Sequence, residues 1–129
     1  MEALGKQILV ELYNCDEQIL NDKYQIERIM KEAVNLSGAT IITTAFHNFS
    51  PCGVSGVIVI AESHVAIHTW PEYRYSAVDI FTCGDCIDPW IISRYLKDEL
   101  KSGTSSAMEL KRGVFDVKGK LKHKVSSMS

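Results

Sequence analysis

Apolar and polar residues form strand-like patterns along five segments of the chain. In some segments they alternate, and in others they form short runs rich in Val, Ile and Thr, as half-buried and buried β-strands do. A further strand is predicted near residues 105–111. The five stronger predicted strands are residues 6–13, 39–47, 54–61, 64–70 and 74–82.

Two other segments repeat their apolar residues at helical spacing. The first begins at residues 21–22, an Asn-Asp pair that can cap a helix, and ends at Gly38, where a helix would stop. The second begins with Asp88 at the N-cap and Pro89 in the first turn, and it runs to about Lys101. The chain therefore predicts two helices between its strands.

The order β-α-β-β-β-α-β and the short connections between strands predict the fold. We expect one α+β domain, residues 1–129, built as a two-layer sandwich: an antiparallel β-sheet with two helices on one face. Strand residues such as Ile41, Val57, Val59 and Ile67 supply more apolar positions than two helices can cover. A second copy of the chain would cover the other face, so a homodimer is expected.

Length, composition and charge limit the number of domains, the partners and the compartment that we expect for this protein. A chain of 129 residues suggests one domain, and 46% apolar with 23% charged residues is an ordinary globular balance. The net charge of −2 does not favour nucleic acid or an anionic membrane as a partner. The first residues show neither a signal peptide nor a membrane span, so we expect a cytoplasmic protein with reduced cysteines.

The junction between the third and fourth predicted strands is unusual. Tight hairpins favour Gly, Asn or Asp, but this one has Glu62 and Ser63. Ser63 can be an ordinary turn residue. Alternatively, its hydroxyl can attack the preceding carbonyl and move the acyl group from nitrogen to oxygen, and elimination and hydrolysis then leave a pyruvoyl group. His68 is the candidate base; it shares a strand face with His64, and both can also be plain surface residues.

Cys83 and Cys86 form a C-x-x-C pair just before the second predicted helix. Zinc would need two more ligands, and Cys15 and Cys52 do not belong to a second closely spaced pair of ligands, so no metal site is expected. A thiol at this position can be a reactive thiolate.

Three residues suggest a nucleoside pocket, although each can also be structural. Trp70 and Phe49 can stack on a base, and Glu72 can bind a ribose diol. Arg74 adds a cation just after this segment.

Together these motifs resemble a known family. The segment GVSGVIVIAESHVAIHTWPEYRYSAVDIFTCG, residues 53–84, resembles the core signature of the bacterial and archaeal pyruvoyl-dependent S-adenosylmethionine decarboxylases. The resemblance continues in GKQILVELYNCD, in SGATIITTAFHNFSPCGVSG and in DPW after the cysteines, so it covers roughly residues 4–100.

The resemblance implies a proenzyme that cuts itself between Glu62 and Ser63. Cleavage would leave a β chain, residues 1–62, and an α chain, residues 63–129, that begins with a pyruvoyl group made from Ser63. That group is the family's cofactor: it forms a Schiff base with S-adenosylmethionine, which then loses CO₂. The product is the aminopropyl donor for spermidine and other polyamines.

The resemblance also assigns roles to single residues. His68 and Ser55 match residues that assist processing, and Cys83 matches the proton donor in decarboxylation. In the family the substrate-binding residues come from the partner subunit of a homodimer. The residues that match those positions are Phe49, Trp70 and Glu72.

Two alternatives stay open from the sequence. The same fold can decarboxylate arginine or ornithine, although such small substrates need no nucleoside pocket. A thiol or zinc protein based on Cys83 and Cys86 is the more remote alternative.

Overall fold

A computed structural model describes residues 2–85 and 87–116, which form one antiparallel sheet with helices on one face. The sheet has six strands in the order β2-β3-β4-β5-β1-β6. The predicted α+β sandwich is confirmed. The strands are β1 (Glu2–Tyr13), β2 (Ile41–Asn48), β3 (Val54–Ile60), β4 (Ser63–Trp70), β5 (Tyr75–Cys83) and β6 (Thr104–Phe115). The α-helices are α1 (Glu17–Leu20), α2 (Lys23–Ser37) and α3 (Pro89–Glu99).

Both long helices begin at the predicted residues; α2 also ends where predicted, and α3 ends at Glu99, two residues before the predicted end. The side chain of Asp22 accepts a hydrogen bond from the backbone N–H of Gln25, and α2 ends at Gly38, whose φ is 85°. Asp88 caps α3 in the same way, with Pro89 in the first turn. These caps satisfy backbone groups that a helix terminus leaves unpaired, so local sequence was sufficient to predict them. Neither helix, nor any other in the described part of the chain, is long and apolar enough to cross a membrane.

Three features differ from the sequence prediction. Helix α1, capped by Asp16, was missed because one turn is too short to show helical spacing. A short 3₁₀ turn, Pro71–Tyr73, follows β4. Strand β6 is longer than predicted, because it pairs with β1 along its whole length, from Glu2 opposite Phe115 to Tyr13 opposite Thr104.

Helices α2 and α3 cover one face of the sheet, and the opposite surface is called here the open face. Val57 and Val59 lie on the open face. Ile67 is buried in the core under the helices and Ile41 packs against that core, so of these four apolar residues only the two valines are left for a partner to cover. Cross-strand partners on the central open face include Ser55, Val57, Val59, His64, Ala66, His68, Trp70, Tyr75, Ala77, Asp79 and Phe81.

Thr69 joins three elements inside the core. Its hydroxyl donates to the carbonyl of Leu20 at the end of α1, 2.7 Å away, and accepts from the backbone N–H of Val54 in β3, 2.9 Å away. Thr69 is 6% exposed, so water cannot easily replace these partners. The hydroxyl therefore ties the end of α1 to the beginning of β3 and the end of β4.

We expect Thr69→Val to lower the free energy of unfolding by about 1–3 kcal/mol, because a buried carbonyl and a buried N–H lose their partner. Urea unfolding of uncleavable protein measures this change. The control is Thr40→Val, since Thr40 is exposed; that change should stay within about 0.5 kcal/mol. Equal urea midpoints for Thr69→Val and the parent protein would contradict the assigned role.

Candidate active site

The peptide bond between Glu62 and Ser63 lies in the tight hairpin between β3 and β4. Ile60 pairs with Ser63, which leaves Ala61 and Glu62 as a two-residue turn. Ser63 has a φ of 144°, a backbone conformation that residues with a side chain rarely adopt. The residue just after the turn, Ser63, therefore carries backbone strain that only glycine would avoid.

Three hydrogen bonds hold this turn in place. The backbone N–H of Cys83 donates to the carbonyl oxygen of Glu62 at 2.8 Å. The carboxylate of Glu62, only 5% exposed, accepts from the N–H of Thr40 at 3.2 Å, and the carbonyl of Thr40 accepts from the N–H of Ala61 at 2.8 Å. The glutamate is therefore an anchor: its side chain fixes the turn against the connection between α2 and β2.

This arrangement suits an attack by a serine on the carbonyl that precedes it. The N–H of Cys83 points at the carbonyl oxygen of Glu62, where negative charge would develop. Within residues 2–85 and 87–116, no group forms a hydrogen bond with the hydroxyl of Ser63, so the nucleophile is not engaged elsewhere. Cys83 pairs with Gly5 of β1 and is 7% exposed; strand alternation places it on the open face, the same side as Phe81.

A second group of predicted residues lies at the other end of β4. Oγ of Ser55 and Nδ1 of His68 form a hydrogen bond of 2.8 Å across β3 and β4. A cleft of about 310 Å³ adjoins this pair. The residues that line the cleft are Phe49, Cys52, Gly53, Ser55, His68, Thr69, Trp70 and Glu72. The structure thus brings together five of the predicted site residues.

The cleft has two aromatic rings and an exposed carboxylate. The ring of Trp70 is stacked on Tyr75, with centroids 5.4 Å apart, and Trp70 is 40% exposed. Phe49 meets His47 edge to face at 4.6 Å and is 49% exposed. Both rings therefore keep surface available for a flat ligand. The carboxylate of Glu72 lies at the same cleft, where it can accept hydrogen bonds from the hydroxyls of a ligand.

Cys52 also lines the cleft, although no sequence motif pointed to it. Its thiol donates to Oε1 of Glu72 at 3.5 Å, and partial burial together with that carboxylate raises the pKa of the thiol. The signal was available, since Cys52 follows Phe49 in the same short loop. Arg74 lies elsewhere: its Nε donates to the carbonyl of Cys15 at 2.8 Å, so this cation is held by the backbone beside α1.

Tyr75 supports Trp70 from the neighbouring strand. Its ring is stacked between Trp70 and Tyr13, and its hydroxyl donates to the carboxylate of Glu11. Burial, reinforced by that carboxylate, raises the pKa of Tyr75 well above its usual value. The hydrogen bond to Glu11 and the stacking on Tyr13 hold the ring of Tyr75 in place against Trp70.

The two groups of residues are far apart within one chain. Ser63 begins β4 and His68 lies five residues later, which places their Cα atoms about 16 Å apart in an extended strand. Cys83 is at the Ser63 end, whereas the cleft is at the His68 end. A single chain therefore does not bring the predicted base to the predicted nucleophile.

Comparison with known proteins decides which family has this arrangement. The family model described as S-adenosylmethionine decarboxylase matches residues 6–113, which include both groups of residues. The chain belongs to the S-adenosylmethionine decarboxylase family. The family assignment made from the sequence motifs is confirmed.

Relatives of this family are similar along nearly the whole chain. An S-adenosylmethionine decarboxylase proenzyme from Clostridium tetani is 54% identical over 116 residues, 90% of this chain and 92% of its own length. The proenzyme from Caldicellulosiruptor saccharolyticus is 52% identical over 90% of this chain and 94% of its own. The crystal structure of the adenosylmethionine decarboxylase from Aquifex aeolicus superposes with a TM-score of 0.86 at 30% identity, covering 94% of this chain and all of that one.

Proposed function

We propose that this protein is a self-cleaving, pyruvoyl-dependent S-adenosylmethionine decarboxylase with two shared sites in a homodimer. The observation that carries the proposal is the strained Ser63, whose preceding carbonyl accepts a hydrogen bond from the N–H of Cys83. Residues 1–129 would act as one domain, cut between residues 62 and 63. Family membership supports the substrate, because relatives are named S-adenosylmethionine decarboxylase proenzymes.

Processing would begin with the hydroxyl of Ser63. Its oxygen attacks the carbonyl carbon of Glu62, and the N–H of Cys83 stabilises the oxyanion. The C–N bond then breaks, which leaves an ester between the two residues and a free amine on Ser63. A base removes the α-proton of Ser63, the bond between its Cβ and the ester oxygen breaks, and residue 62 leaves with its main-chain α-carboxylate as a new C-terminus. The resulting dehydroalanine reacts with water to give ammonia and the pyruvoyl group. Relief of the strain at Ser63 favours the first step.

The base that removes the α-proton of Ser63 would be His68 of a second chain. Within one chain the two residues are about 16 Å apart, so a shared site resolves the separation. A two-fold axis through paired open faces would lay the Ser63 end of one sheet over the His68 end of the other. The open face suits burial, since Val57, Ala66 and Ala77 form its centre and Val59 is 38% exposed.

Decarboxylation would use residues from both ends of β4, the Ser63 end of one chain and the His68 end of the other. The pyruvoyl group supplies an electron sink for the electrons left when CO₂ departs. The thiol of Cys83 would return a proton to the α-carbon. Phe49 and Trp70 would hold the adenine, and Glu72 would accept hydrogen bonds from the ribose hydroxyls. The product, decarboxylated S-adenosylmethionine, is an aminopropyl donor for polyamine synthesis.

The alternatives have less support. Arginine and ornithine have no base to stack on two rings, and CO₂ release from the three substrates, assayed side by side, separates these activities. The thiol or zinc alternative depends on Cys86, which lies outside the described residues. Stoichiometric zinc in purified protein would support it.

Glu72→Gln should raise KM for S-adenosylmethionine by about tenfold for each 1.4 kcal/mol of lost binding, because the amide is a weaker acceptor than the carboxylate. Self-cleavage should continue at the wild-type rate, since Glu72 takes no part in the acyl shift. Steady-state CO₂ release and denaturing mass spectrometry measure the two effects. Glu99→Gln, in α3 away from the cleft, is the control. An unchanged KM would remove Glu72 from the substrate site.

A further inference from the structure

The loop that carries Phe49 and Cys52 is closed by Gly53. The carbonyl of Gly53 accepts two hydrogen bonds, from the backbone N–H of Phe49 and from Nδ2 of Asn48, both at 2.8 Å. Gly53 has a φ of 107°, and a Cβ atom there would lie 3.1 Å from the carbonyl oxygen of Thr69. The loop is therefore tight, and its closing residue packs directly against the end of β4.

Asn21 ties this loop to the helical layer. Its Oδ1 accepts a hydrogen bond of 2.9 Å from the backbone N–H of Gly53, 32 residues away in the chain. The other two hydrogen bonds of Gly53 stay within residues 48–53, so they close the loop without orienting it. Two hydrogen bonds relate the closed loop to other elements: the bond from the N–H of Gly53 to Asn21, at 2.9 Å, and the longer bond from the thiol of Cys52 to Glu72, at 3.5 Å.

The residues around Asn21 are themselves held firmly. Leu20 accepts from the buried hydroxyl of Thr69, and Asp22 caps the next helix. The Asn21 side chain therefore extends from a fixed turn to a loop that is otherwise held by its own hydrogen bonds, its contacts with β4 and the weak hydrogen bond from Cys52 to Glu72. That loop presents Phe49 to the cleft that Trp70 also lines.

We propose that Asn21 is a positioning residue for S-adenosylmethionine binding, because it orients the Phe49 loop through Gly53. The inference rests on the proposed function of the cleft. Asn21 does not line the cleft, so it acts through the loop and not by touching substrate. Since Ser63 and Cys83 lie at the other end of β4, Asn21 should affect substrate binding and leave processing and the chemical step unchanged.

Asn21→Ala should raise KM for S-adenosylmethionine about three- to tenfold with kcat within about twofold of wild type, the effect of one lost hydrogen bond on a binding element. Asn21→Asp should restore a KM near the wild-type value, since a carboxylate oxygen can accept from the N–H of Gly53. The matched control is Asn35→Ala, on the exposed surface of α2. All three variants should self-cleave like wild type.

Hydrogen exchange provides a measurement that does not depend on activity. In the cleaved protein without substrate, peptides spanning residues 48–54 should exchange faster in Asn21→Ala than in wild type, and Asn21→Asp should be protected again. Peptides from β1 should exchange at the wild-type rate, which establishes that the fold is intact. Equal exchange of the 48–54 peptides in Asn21→Ala and wild type would overturn the inference.

The kinetic outcomes separate two kinds of failure. If wild type and Asn35→Ala both lack turnover of S-adenosylmethionine, the proposed function fails and the inference about its substrate falls with it. If both are active and Asn21→Ala has a wild-type KM, only the role of Asn21 is wrong. If Asn21→Ala lowers kcat and self-cleavage as well as raising KM, the positioning role is also overturned, because that result would indicate general disruption of the fold.

Discussion

Two variants that cannot cleave alone, His68→Ala and Ser63→Ala, should produce cleavage when they are unfolded, mixed and refolded together. In a mixed dimer, Ser63 of the His68→Ala chain meets the intact His68 of the other chain. Only the His68→Ala chain should be cut, between residues 62 and 63. At equal amounts, random pairing puts about half of those chains in mixed dimers, which sets the expected yield. The physical reason is the separation of the two residues along β4.

Denaturing mass spectrometry can follow this reaction if the two chains differ in isotope label. The labelled fragment that begins at residue 63 should have the mass expected for a pyruvoyl terminus. Each variant refolded alone is the control and should stay whole. Efficient cleavage of His68→Ala alone would remove His68 from processing. Intact mixtures beside a wild type that cleaves would contradict the shared site, and an uncleaved wild type would contradict self-processing.

Cys83→Ala should still cleave itself but lose most of its decarboxylase activity. The hydrogen bond to the carbonyl of Glu62 comes from the backbone N–H at residue 83, which alanine retains. The thiol, in contrast, would be the proton donor to the α-carbon, and a positioned general acid contributes about 10²–10⁴-fold to a rate. We therefore expect kcat to fall by at least about 100-fold, with the processing rate changed far less.

Single-turnover CO₂ release from fully cleaved protein measures this loss without interference from incomplete processing. Cys86→Ala is the matched control from the same C-x-x-C pair and should keep nearly full activity. Wild-type turnover by Cys83→Ala would exclude the proton-donor role. An essential Cys86 in place of Cys83 would show that the motif was aligned onto the wrong cysteine.

Some features followed from local sequence because local physics determines them. Asp22 and Asp88 cap the long helices and Gly38 ends the first, since each acts on backbone groups within four residues. The alternation in β4 correctly placed His64 and His68 on one face. It did not indicate which of the two faces the helices cover, and the structure shows that they cover the face that carries Ile67.

The residues of the site were identifiable from motifs, but their relative positions were not. The sequence by itself determined the family, the sheet with helices on one face, and an unusual junction near Glu62 and Ser63, although the turn itself is Ala61 and Glu62. Only the tertiary structure decided that Ser63 has a positive φ and that the N–H of Cys83 meets the carbonyl before it, since both depend on pairing between β4 and β5. The distance between the two ends of the site likewise follows from an extended strand, whose length separates residues that are close in sequence.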